Sequence, residues 1–381
     1  MKVCILTHNL QSYNGAGVFS RRLAEGIKNS SGNEVCAITT VASGYEGEEP
    51  ILYPQKIRLL LSLPRVRKII KECNLVHALD VFPYGVVAMF ASIGLRKKVI
   101  ITATGSGSIL PLYHRLYQWL VRWAYHRADV VTAISAFTRD EIQKKISSFP
   151  IRVINHGVDI DEFRNFTPTP NFGVGAGESG IRNYGAEKLQ KYKPYILSVG
   201  QLRWRKGYHV SIQAFARVCT HIPELHYVIV GKKYKDDYYV RLQKLITELN
   251  LENKVFILED VSTREQLADI YRGAELFCLF SQNVNHDIEG FGLVFLEAAA
   301  AGLPVVGSKN CGIEDAAREG ENGILVSTRS ADDFAEAIVT ILCDKEMVMR
   351  MRKKSLAFAR ESTWQKRIEE YTNLYASLVG K

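Results

Sequence analysis

The feature that most constrains the fold of this chain is a repeated alternation of short apolar runs with longer amphipathic segments. Runs such as KVCILT (residues 2–7) and YILSVG (residues 195–200) are too short for core helices, and helix-forming segments follow them. Strands covered by helices on both faces consist of such continuous apolar runs. The pattern therefore predicts an α/β protein with doubly wound parallel sheets.

The alternation occurs in two series, and 381 residues exceed what one core usually holds, so we expect two domains. Turn-forming residues without apolar periodicity separate the series. The predicted limits are an N-terminal Rossmann-like domain at 1–165, an interdomain loop at 166–193, a C-terminal Rossmann-like domain at 194–360 and a C-terminal helix at 361–381 that packs back on the first domain. Helices are predicted over 331–343 and 345–378.

Three patterns argue against other classes of protein. The seven cysteines form no C-x-x-C pair and no Cys/His metal spacing, so we expect reduced core thiols in a cytosolic protein. A long uncharged apolar run, residues 81–95, contains Pro83 and Gly85 and is shorter than the roughly 20 residues that span a bilayer. A G-x-G-x-x-G sequence at residues 175–180 has no strand before it and no clear helix after it, so we reject a dinucleotide fingerprint there.

The positive charge is concentrated in the first part of the chain. Residues 1–165 carry 21 Lys/Arg against 13 Asp/Glu, a net charge of +8, whereas the rest contributes +1. Such a field attracts nucleic acids, anionic lipid surfaces or phosphorylated substrates without selecting among them. No nucleic-acid-binding motif surrounds these residues, so nucleic acid is the partner we least expect.

The segment EGFGLVFLEAAAAGLPVV, residues 289–306, places Glu289 and Glu297 eight positions apart. It predicts a short buried helix that ends at Gly302, before Pro304. The glycines at its start let an anion approach backbone N–H groups that lack intrahelical partners. Glu297 in an apolar helix needs partners, and sugar or ribose hydroxyls are good donors to a carboxylate. The alternative is that Glu289 caps the helix and Glu297 forms a structural ion pair.

Two other segments favour a phosphate-bearing ligand. In YNGAGVFS, Gly15 and Gly17 precede a helix, although they lie too far from the first strand for a nicotinamide fingerprint. In VGQLRWRKGYH, the basic residues follow a strand at the edge where α/β proteins bind ligands, and they suit a diphosphate. They are Arg203, Arg205 and Lys206. A structural glycine turn and a solvated basic loop are the respective alternatives.

Together these segments resemble the retaining nucleotide-sugar glycosyltransferases of family 4, whose GT-B fold has two Rossmann-like doubly wound domains facing a central cleft. The resemblance covers nearly the whole chain. It includes SAFTRDEI and INHGVDIDEF, which close the first domain, the E-x7-E segment, CGIEDAAREGENGILV and the late Trp364.

The resemblance implies a role for each matching residue. Glu289 binds hydroxyls of the donor sugar and Glu297 those of the ribose. The backbone amides of Phe291, Gly292 and Leu293 hold the diphosphate together with Lys206 and Arg205, with Arg203 as a further donor-binding residue. Gly15 and Gly17 approach it from the facing domain. Thr104 and His77 are expected on the acceptor side.

Three positions depart from the family pattern. Gln201 stands where relatives carry Arg after the glycine of the VG strand, so Arg203 or Arg205 must supply that charge. Thr104 stands where relatives often have His. The usual glycine pair near the sugar reads Cys311-Gly312. These departures bear on the acceptor and the donor sugar more than on the class of reaction.

The sequence thus predicts a hexosyltransferase-type retaining enzyme that uses a nucleotide diphosphate sugar and no cofactor or metal. A lipid-linked or cell-surface glycan precursor is the expected acceptor. We expect a cytoplasmic protein, peripheral on the inner face of the plasma membrane through basic, apolar segments at 55–73 and 114–128. The alternatives are another GT-B enzyme, such as an epimerase or phosphorylase, and a non-catalytic sugar-nucleotide binder.

Overall fold

The computed structural model describes residues 1–11, 15–30, 32–53, 58–147, 149–164, 189–234, 237–327 and 330–380. The chain divides into two compact units. The first comprises Met1–Gly157, Val284–Phe291 and Trp364–Lys381, and the second Val158–Asn283 and Gly292–Thr363. Most of the predicted interdomain loop, residues 166–188, lies outside the described residues, as does the rejected glycine pattern.

The first unit is built on a seven-stranded parallel sheet. Its strands are β1 (Lys2–Thr7), β2 (Glu34–Thr39), β3 (Glu48–Glu49), β4 (Leu75–Leu79), β5 (Lys98–Ala103), β6 (Val130–Ala133) and β7 (Ile151–Val153). Their order in the sheet is β3-β2-β1-β4-β5-β6-β7. The apolar strand residues are almost entirely buried, as the continuous apolar runs predicted.

The structure describes seven α-helices within residues 1–164. They are α1 (Gly15–Asn29), α2 (Leu59–Lys71), α3 (Val86–Ser92), α4 (Ser106–Ile109), α5 (Gln118–Arg127), α6 (Ala136–Gln143) and α7 (Ile160–Arg164). The last of these lies in the second unit. The two-residue strand β3 and the helix α7 were not predicted, because neither has a measurable apolar period.

The second unit is built on a six-stranded parallel sheet. Its strands are β8 (Tyr195–Val199), β9 (His226–Val230), β10 (Val255–Leu258), β11 (Leu276–Leu279), β12 (Val305–Ser308) and β13 (Gly323–Val326). Their order is β10-β9-β8-β11-β12-β13. Helices α8 (Tyr208–His221), α9 (Tyr238–Glu248), α10 (Arg264–Gly273), α11 (Leu293–Ala300), α12 (Ala331–Leu342) and α13 (Lys345–Glu361) accompany them.

Strand order reverses at one place in each sheet. From β1 the chain moves to β2 and β3 on one side and returns to β4 on the other, and β8 and β11 have the same relation in the second sheet. Open α/β sheets bind ligands outside the carboxyl ends of the strands at such a switch point. The predicted doubly wound architecture is confirmed.

The helix predicted over 345–378 is two helices, so this prediction was wrong. Helix α13 ends at Glu361, and α14 (Trp364–Val379) follows in the first unit. The break holds a strand-like contact, because the Val158 amide donates to the Ser362 carbonyl at 2.9 Å. Helix α14 packs on α1, where Ile368 lies so close to Gly26 that a Cβ there would collide with it. No described helix is long and apolar enough to cross a membrane.

Candidate functional site

A basic turn lies at the carboxyl end of β8, beside the switch point of the second sheet. Lys206 ends the single turn Trp204–Lys206 and is buried. It lies over Gly200, where a Cβ would be 3.3 Å from its Cε and 3.6 Å from its Nζ. Gly200 has a φ of 149° and Gly207 a φ of 65°, so both favour glycine. The glycines thus let a buried ammonium sit against the strand end.

The two arginines of this turn have different surroundings. Arg203 is half-buried, with its guanidinium 4.5 Å from the centre of the Tyr234 ring. The carbonyl of Arg205 accepts a hydrogen bond from the amide of Gln282, just beyond β11, at 2.6 Å. A Cβ on Gly207 would collide with the Phe280 carbonyl, also just beyond β11. The turn therefore spans the ends of the two strands that flank the switch point.

Helix α11 begins beside the same edge. Gly292, its N-cap, has φ 84° and ψ 50°, and no described side chain caps the helix. A Cβ on Gly292 would lie 3.1 Å from Ile313 Cγ1, in the turn that follows β12. The first amides of an uncapped helix favour an anion. The start of α11 at Leu293 therefore suits a phosphate group.

Glu297 lies on α11 at 3% exposure and has protein partners for both oxygens. Arg264 Nη1 donates to Oε1 at 2.7 Å, and the Tyr271 hydroxyl donates to Oε2 at 3.0 Å. The same guanidinium also binds Glu162 on α7, at 2.7 and 3.1 Å. A carboxylate has about four lone-pair sites, so each oxygen of Glu297 can still accept a hydroxyl. The ion pair therefore orients Glu297 and leaves it able to accept further hydrogen bonds.

The partners of Glu297, which are Arg264 and Tyr271, could not be identified from the sequence. The one sequence signal was that Glu162, which shares Arg264 with Glu297, lies in a segment that resembles the family. Burial would lower the pKa of Arg264, but the charges of Glu297 and Glu162 raise it, so this guanidinium stays protonated. Burial and the neighbouring Glu297 raise the pKa of Tyr271. Glu162 belongs to the INHGVDIDEF segment, which carried a family likeness but no role for this residue. The structure links it to Glu297 through Arg264.

In the first unit, Gly15 and Gly17 begin α1 at the carboxyl end of β1. Gly15 is exposed, and a Cβ added to it would have nothing within 4 Å, whereas a side chain on Gly17 would collide with the Gln11 carbonyl and Asn9 Oδ1. Only Gly17 is therefore required by packing. Residues 12–14, which lead into this helix, lie outside the described residues.

A polar loop follows β5 at the same edge and includes Thr104. The Thr104 amide donates to Asp80 Oδ1 at 3.1 Å, and the Ser108 hydroxyl donates to the same oxygen at 2.6 Å. Burial raises the pKa of Asp80, while these bonds oppose the shift. Sequence reasoning missed Asp80, although its position directly after β4, at the switch point, was a usable signal.

Glu289 and Phe291 lie in the segment Val284–Phe291, which belongs to the first unit. This segment packs on the polar loop, because a Cβ on Gly290 would be 2.9 Å from Gly105 Cα and 3.1 Å from the Thr104 carbonyl. The Ser135 hydroxyl donates to the Gly290 carbonyl at 2.6 Å. Glu289 is buried. The segment that contains Glu289 therefore packs against the loop that contains the predicted acceptor residue Thr104.

His77, which was predicted on the acceptor side, lies inside the core of the first unit. His77 is fully buried in β4, with Nδ1 2.6 Å from the Tyr375 hydroxyl and Nε2 2.6 Å from Thr102 Oγ1. Burial lowers its pKa to about 3, so it is neutral. Both nitrogens are occupied by the protein core and α14. The hydrogen bonds of His77 thus join the last helix to the sheet.

Family models match the chain in two consecutive parts. The model of Glycosyltransferase Family 4 matches residues 13–162, and that of Glycosyl transferases group 1 matches residues 183–357. Together they span most of the sequence. The chain belongs to the family-4 type of glycosyltransferase, and the resemblance and the GT-B fold expected from sequence are confirmed.

Curated relatives are also glycosyltransferases or synthases. The chain is 26% identical over 299 residues to a GDP-mannose-dependent alpha-(1-6)-phosphatidylinositol monomannoside mannosyltransferase of Mycobacterium tuberculosis (strain CDC 1551 / Oshkosh), covering 75% of this chain and 72% of the relative. It is 24% identical over 316 residues to the N-acetyl-alpha-D-glucosaminyl L-malate synthase of Bacillus anthracis, covering 81% and 76%.

Solved structures show the same fold. Anabaena HepE in complex with UDP and glucose has a TM-score of 0.80 and 20% identity, covering 99% of this chain and all of that one. WaaG, a glycosyltransferase involved in lipopolysaccharide biosynthesis, has a TM-score of 0.71 and 16% identity, covering 98% and 99%. At these identities the likeness extends to the fold alone.

Proposed function

We propose that this glycosyltransferase moves a hexose from a nucleotide diphosphate sugar to an acceptor hydroxyl with retention at the anomeric carbon. The observation that carries the proposal is the switch point of the second sheet. There the buried ammonium of Lys206, the arginine turn and the uncapped start of α11 all favour a diphosphate. The names of the mannosyltransferase relative and of the HepE complex point to the same class of donor.

The bond between the anomeric carbon and the diphosphate breaks while a bond to the acceptor oxygen forms on the same face. The acceptor proton passes to a phosphate oxygen of the leaving group, because Thr104 is not basic near neutral pH. Lys206, Arg205 and the amide dipoles stabilise the charge that develops on the departing diphosphate. These fixed charges do the work that a metal ion does in other transferases, so no metal is required.

Each carboxylate holds a different end of the donor in this proposal. Glu297, oriented by Arg264 and Tyr271, accepts hydrogen bonds from the ribose hydroxyls. Glu289 accepts from the sugar hydroxyls. Asp80 holds the Thr104 loop through the Thr104 amide and Ser108, and Thr104 positions the acceptor.

A donor panel tests the proposal. The protein is incubated with UDP- and GDP-hexoses, with and without EDTA, and slow nucleotide release by hydrolysis is followed. We expect one donor to be hydrolysed at a rate that EDTA leaves unchanged and that Lys206→Met abolishes. Conversion of the sugar without nucleotide release would indicate an epimerase, and tight binding without turnover a binder. Anomeric NMR of a transferred product then checks retention, since an inverted product would refute it.

We also propose that the acceptor is lipid-linked and that the first unit docks on an anionic membrane. Large apolar side chains on adjacent elements are exposed, namely Leu61 of α2 at 67%, Leu116 at 78% and Trp119 of α5 at 62%. Helix α3 contacts both α2 and α5. Exposed basic residues accompany them, namely Arg65, Lys68, Arg115 and Arg122. Exposed aromatic and basic side chains of this kind suit the interface of an anionic bilayer.

Vesicle co-sedimentation tests this docking. We expect binding to anionic but not neutral vesicles at low salt, and release at high salt, because each basic residue near the surface contributes about 1 kcal/mol. The variant Arg65→Glu/Lys68→Glu/Arg122→Glu should lose binding. Arg67 is left unchanged, because it bonds the carbonyls of Ala91 and Ile93.

The matched control is Lys345→Glu/Arg350→Glu/Lys353→Glu, which makes the same charge change on exposed positions of α13. It should bind vesicles like the unmodified protein. Equal loss of vesicle binding in both triple variants would show that binding depends on net charge and not on this surface. Absence of binding by the unmodified protein at low salt would favour a soluble acceptor.

A further inference from the structure

Three of the seven cysteines converge in the first unit, although they are far apart in sequence. Cys4 of β1 and Cys36 of β2 are direct partners in the parallel ladder, and Cys73 follows α2 by two residues. The Sγ atoms of all three lie within 4.8 Å of one another, and those of Cys36 and Cys73 are 3.5 Å apart. Cys4 and Cys73 are buried, whereas Cys36 is half-buried.

Sulfurs that lie within 4.8 Å of one another are close enough to share one metal ion after small shifts. With metal–sulfur bonds of about 2.3 Å, sulfurs at tetrahedral or trigonal angles lie roughly 3.8–4.0 Å apart. A disulfide needs only two sulfurs, at about 2.05 Å. We propose that Cys4, Cys36 and Cys73 bind one thiophilic cation, with Cu(I) preferred to Zn(II).

The ligand set supports this preference. Among the described residues, no His, Asp, Glu or further Cys joins the cluster as a fourth ligand. Structural zinc usually takes four protein ligands, whereas soft thiolates select Cu(I), which accepts three. The Lys97 ammonium donates a hydrogen bond to the Cys73 carbonyl at 2.6 Å, so a positive charge lies near the cluster and offsets the negative charge of a trithiolate.

The cluster is separate from the transfer site. Cys4 lies three residues before the carboxyl end of β1, which corresponds to roughly 10 Å of strand. Cys73 precedes β4, whereas Asp80 and the polar loop follow strand ends at the opposite edge. The bound cation would therefore tie β1, β2 and the end of α2 together and stabilise the first unit. Binding one Cu(I) would release three protons, one from each thiol.

The test uses the full chain, reduced and kept without oxygen. Cu(I) is added in increments against the chelator bathocuproine disulfonate, and thiolate-to-copper absorption is recorded. We expect one Cu(I) per chain, a rise in thermal unfolding temperature and at least 100-fold weaker binding by Cys36→Ser/Cys73→Ser. The control Cys219→Ser/Cys343→Ser removes two thiols outside the cluster and should bind like the unmodified protein.

Two further measurements keep the test decisive. Circular dichroism checks that the double variants fold, and X-ray absorption of the unmodified protein should give three sulfur neighbours. A parallel Zn(II) titration should show weaker binding. Equal Cu(I) binding by both double variants, or none by the unmodified protein, would overturn the proposal. Formation of a Cys36–Cys73 disulfide with oxidised glutathione, in a protein that binds no Cu(I), would make the cluster a redox pair instead.

Discussion

The carboxyl edges of the two sheets carry different chemistry, although both sheets have the same reversal of strand order. At the first edge, Asp80 accepts hydrogen bonds from the Thr104 amide and the Ser108 hydroxyl, in a loop rich in hydroxyl side chains. At the second edge, Lys206 and its neighbouring arginines lie beside an uncapped helix start. The first edge suits neutral hydroxyl-bearing groups, and the second suits phosphate.

The difference shows what the fold determines and what it leaves open. In open α/β sheets, strand order determines where a ligand can bind. The side chains on the loops determine which ligand that is. Variants that alter one edge and spare the other therefore test the division between acceptor and donor.

The largest expected effect is that of Lys206→Met at the second edge. Met preserves most of the buried volume of the side chain. It removes the positive charge that is proposed to stabilise the leaving diphosphate. Loss of one such electrostatic contact typically costs about 10²–10³ in turnover. Steady-state kinetics with saturating donor measures it, and Lys244→Met, at an exposed position on α9, is the control. Similar turnover in both variants would remove Lys206 from the mechanism.

The next largest effect is a difference between the variants of Glu289 and Glu297, the two glutamates of the E-x7-E segment. Glu297→Gln should weaken binding of free nucleotide about tenfold, the loss expected when a hydrogen bond to a charged group becomes neutral. Glu289→Gln should leave nucleotide affinity within about twofold and mainly lower turnover, because the contact proposed for Glu289 is with the sugar. Calorimetry with free nucleotide distinguishes them. Equal losses of affinity would show that the two carboxylates do not bind different ends of the donor.

Acid should destabilise the first unit through its buried histidines. Burial lowers the pKa of His77 and of His156 to about 3, so the folded state keeps them neutral while the unfolded state binds protons below about 6.5. Stability is therefore full above pH 6.5 and is lost as pH falls toward 3. At pH 5 each histidine costs about 2 kcal/mol.

Hydrogen exchange at pH 7 and pH 5 measures this loss in each unit separately. His77→Gln should reduce the pH dependence of the first unit by about half, since His156 remains. His221→Gln, at an exposed position, is the control. A first unit whose protection does not change between these two pH values would contradict the prediction.

The smallest expected effect is that of Thr104→Ser at the first edge. The hydroxyl remains, and the contact that holds the loop is the backbone amide with Asp80, so turnover should stay within about threefold. Thr104→Val, which keeps the shape but not the hydroxyl, should raise the KM for the acceptor. A large loss of turnover in the serine variant would assign Thr104 more than a positioning role.

The sequence was most informative where structure depends on local pattern. Continuous apolar runs such as residues 2–7 and 195–200 predicted β1 and β8, because parallel strands are buried on both faces. The break between α13 and α14 was missed, because helical periodicity continues through it and the cause is a distant contact with Val158.

The same contrast between local pattern and distant contacts applies to the site residues. Lys206 and the glycines were found because they follow a strand or precede a helix. Arg264 was not, because it lies 33 residues from Glu297 and only the fold joins them. The cysteine cluster was missed for the same reason, since it depends on the register of β1 with β2 and on where α2 ends. The family-based roles of Glu289 and Glu297 stay predictions.

The hydrogen bond between His77 and Tyr375 joins residues 298 positions apart. During synthesis at about 5–20 residues per second, roughly 15–60 seconds pass between the appearance of these two side chains. Throughout that interval the nascent first sheet lacks the helix that covers His77. The surface of the first sheet that α14 covers therefore stays exposed while the rest of the chain is synthesised. Exposed surface of this kind in a nascent chain is what chaperones bind.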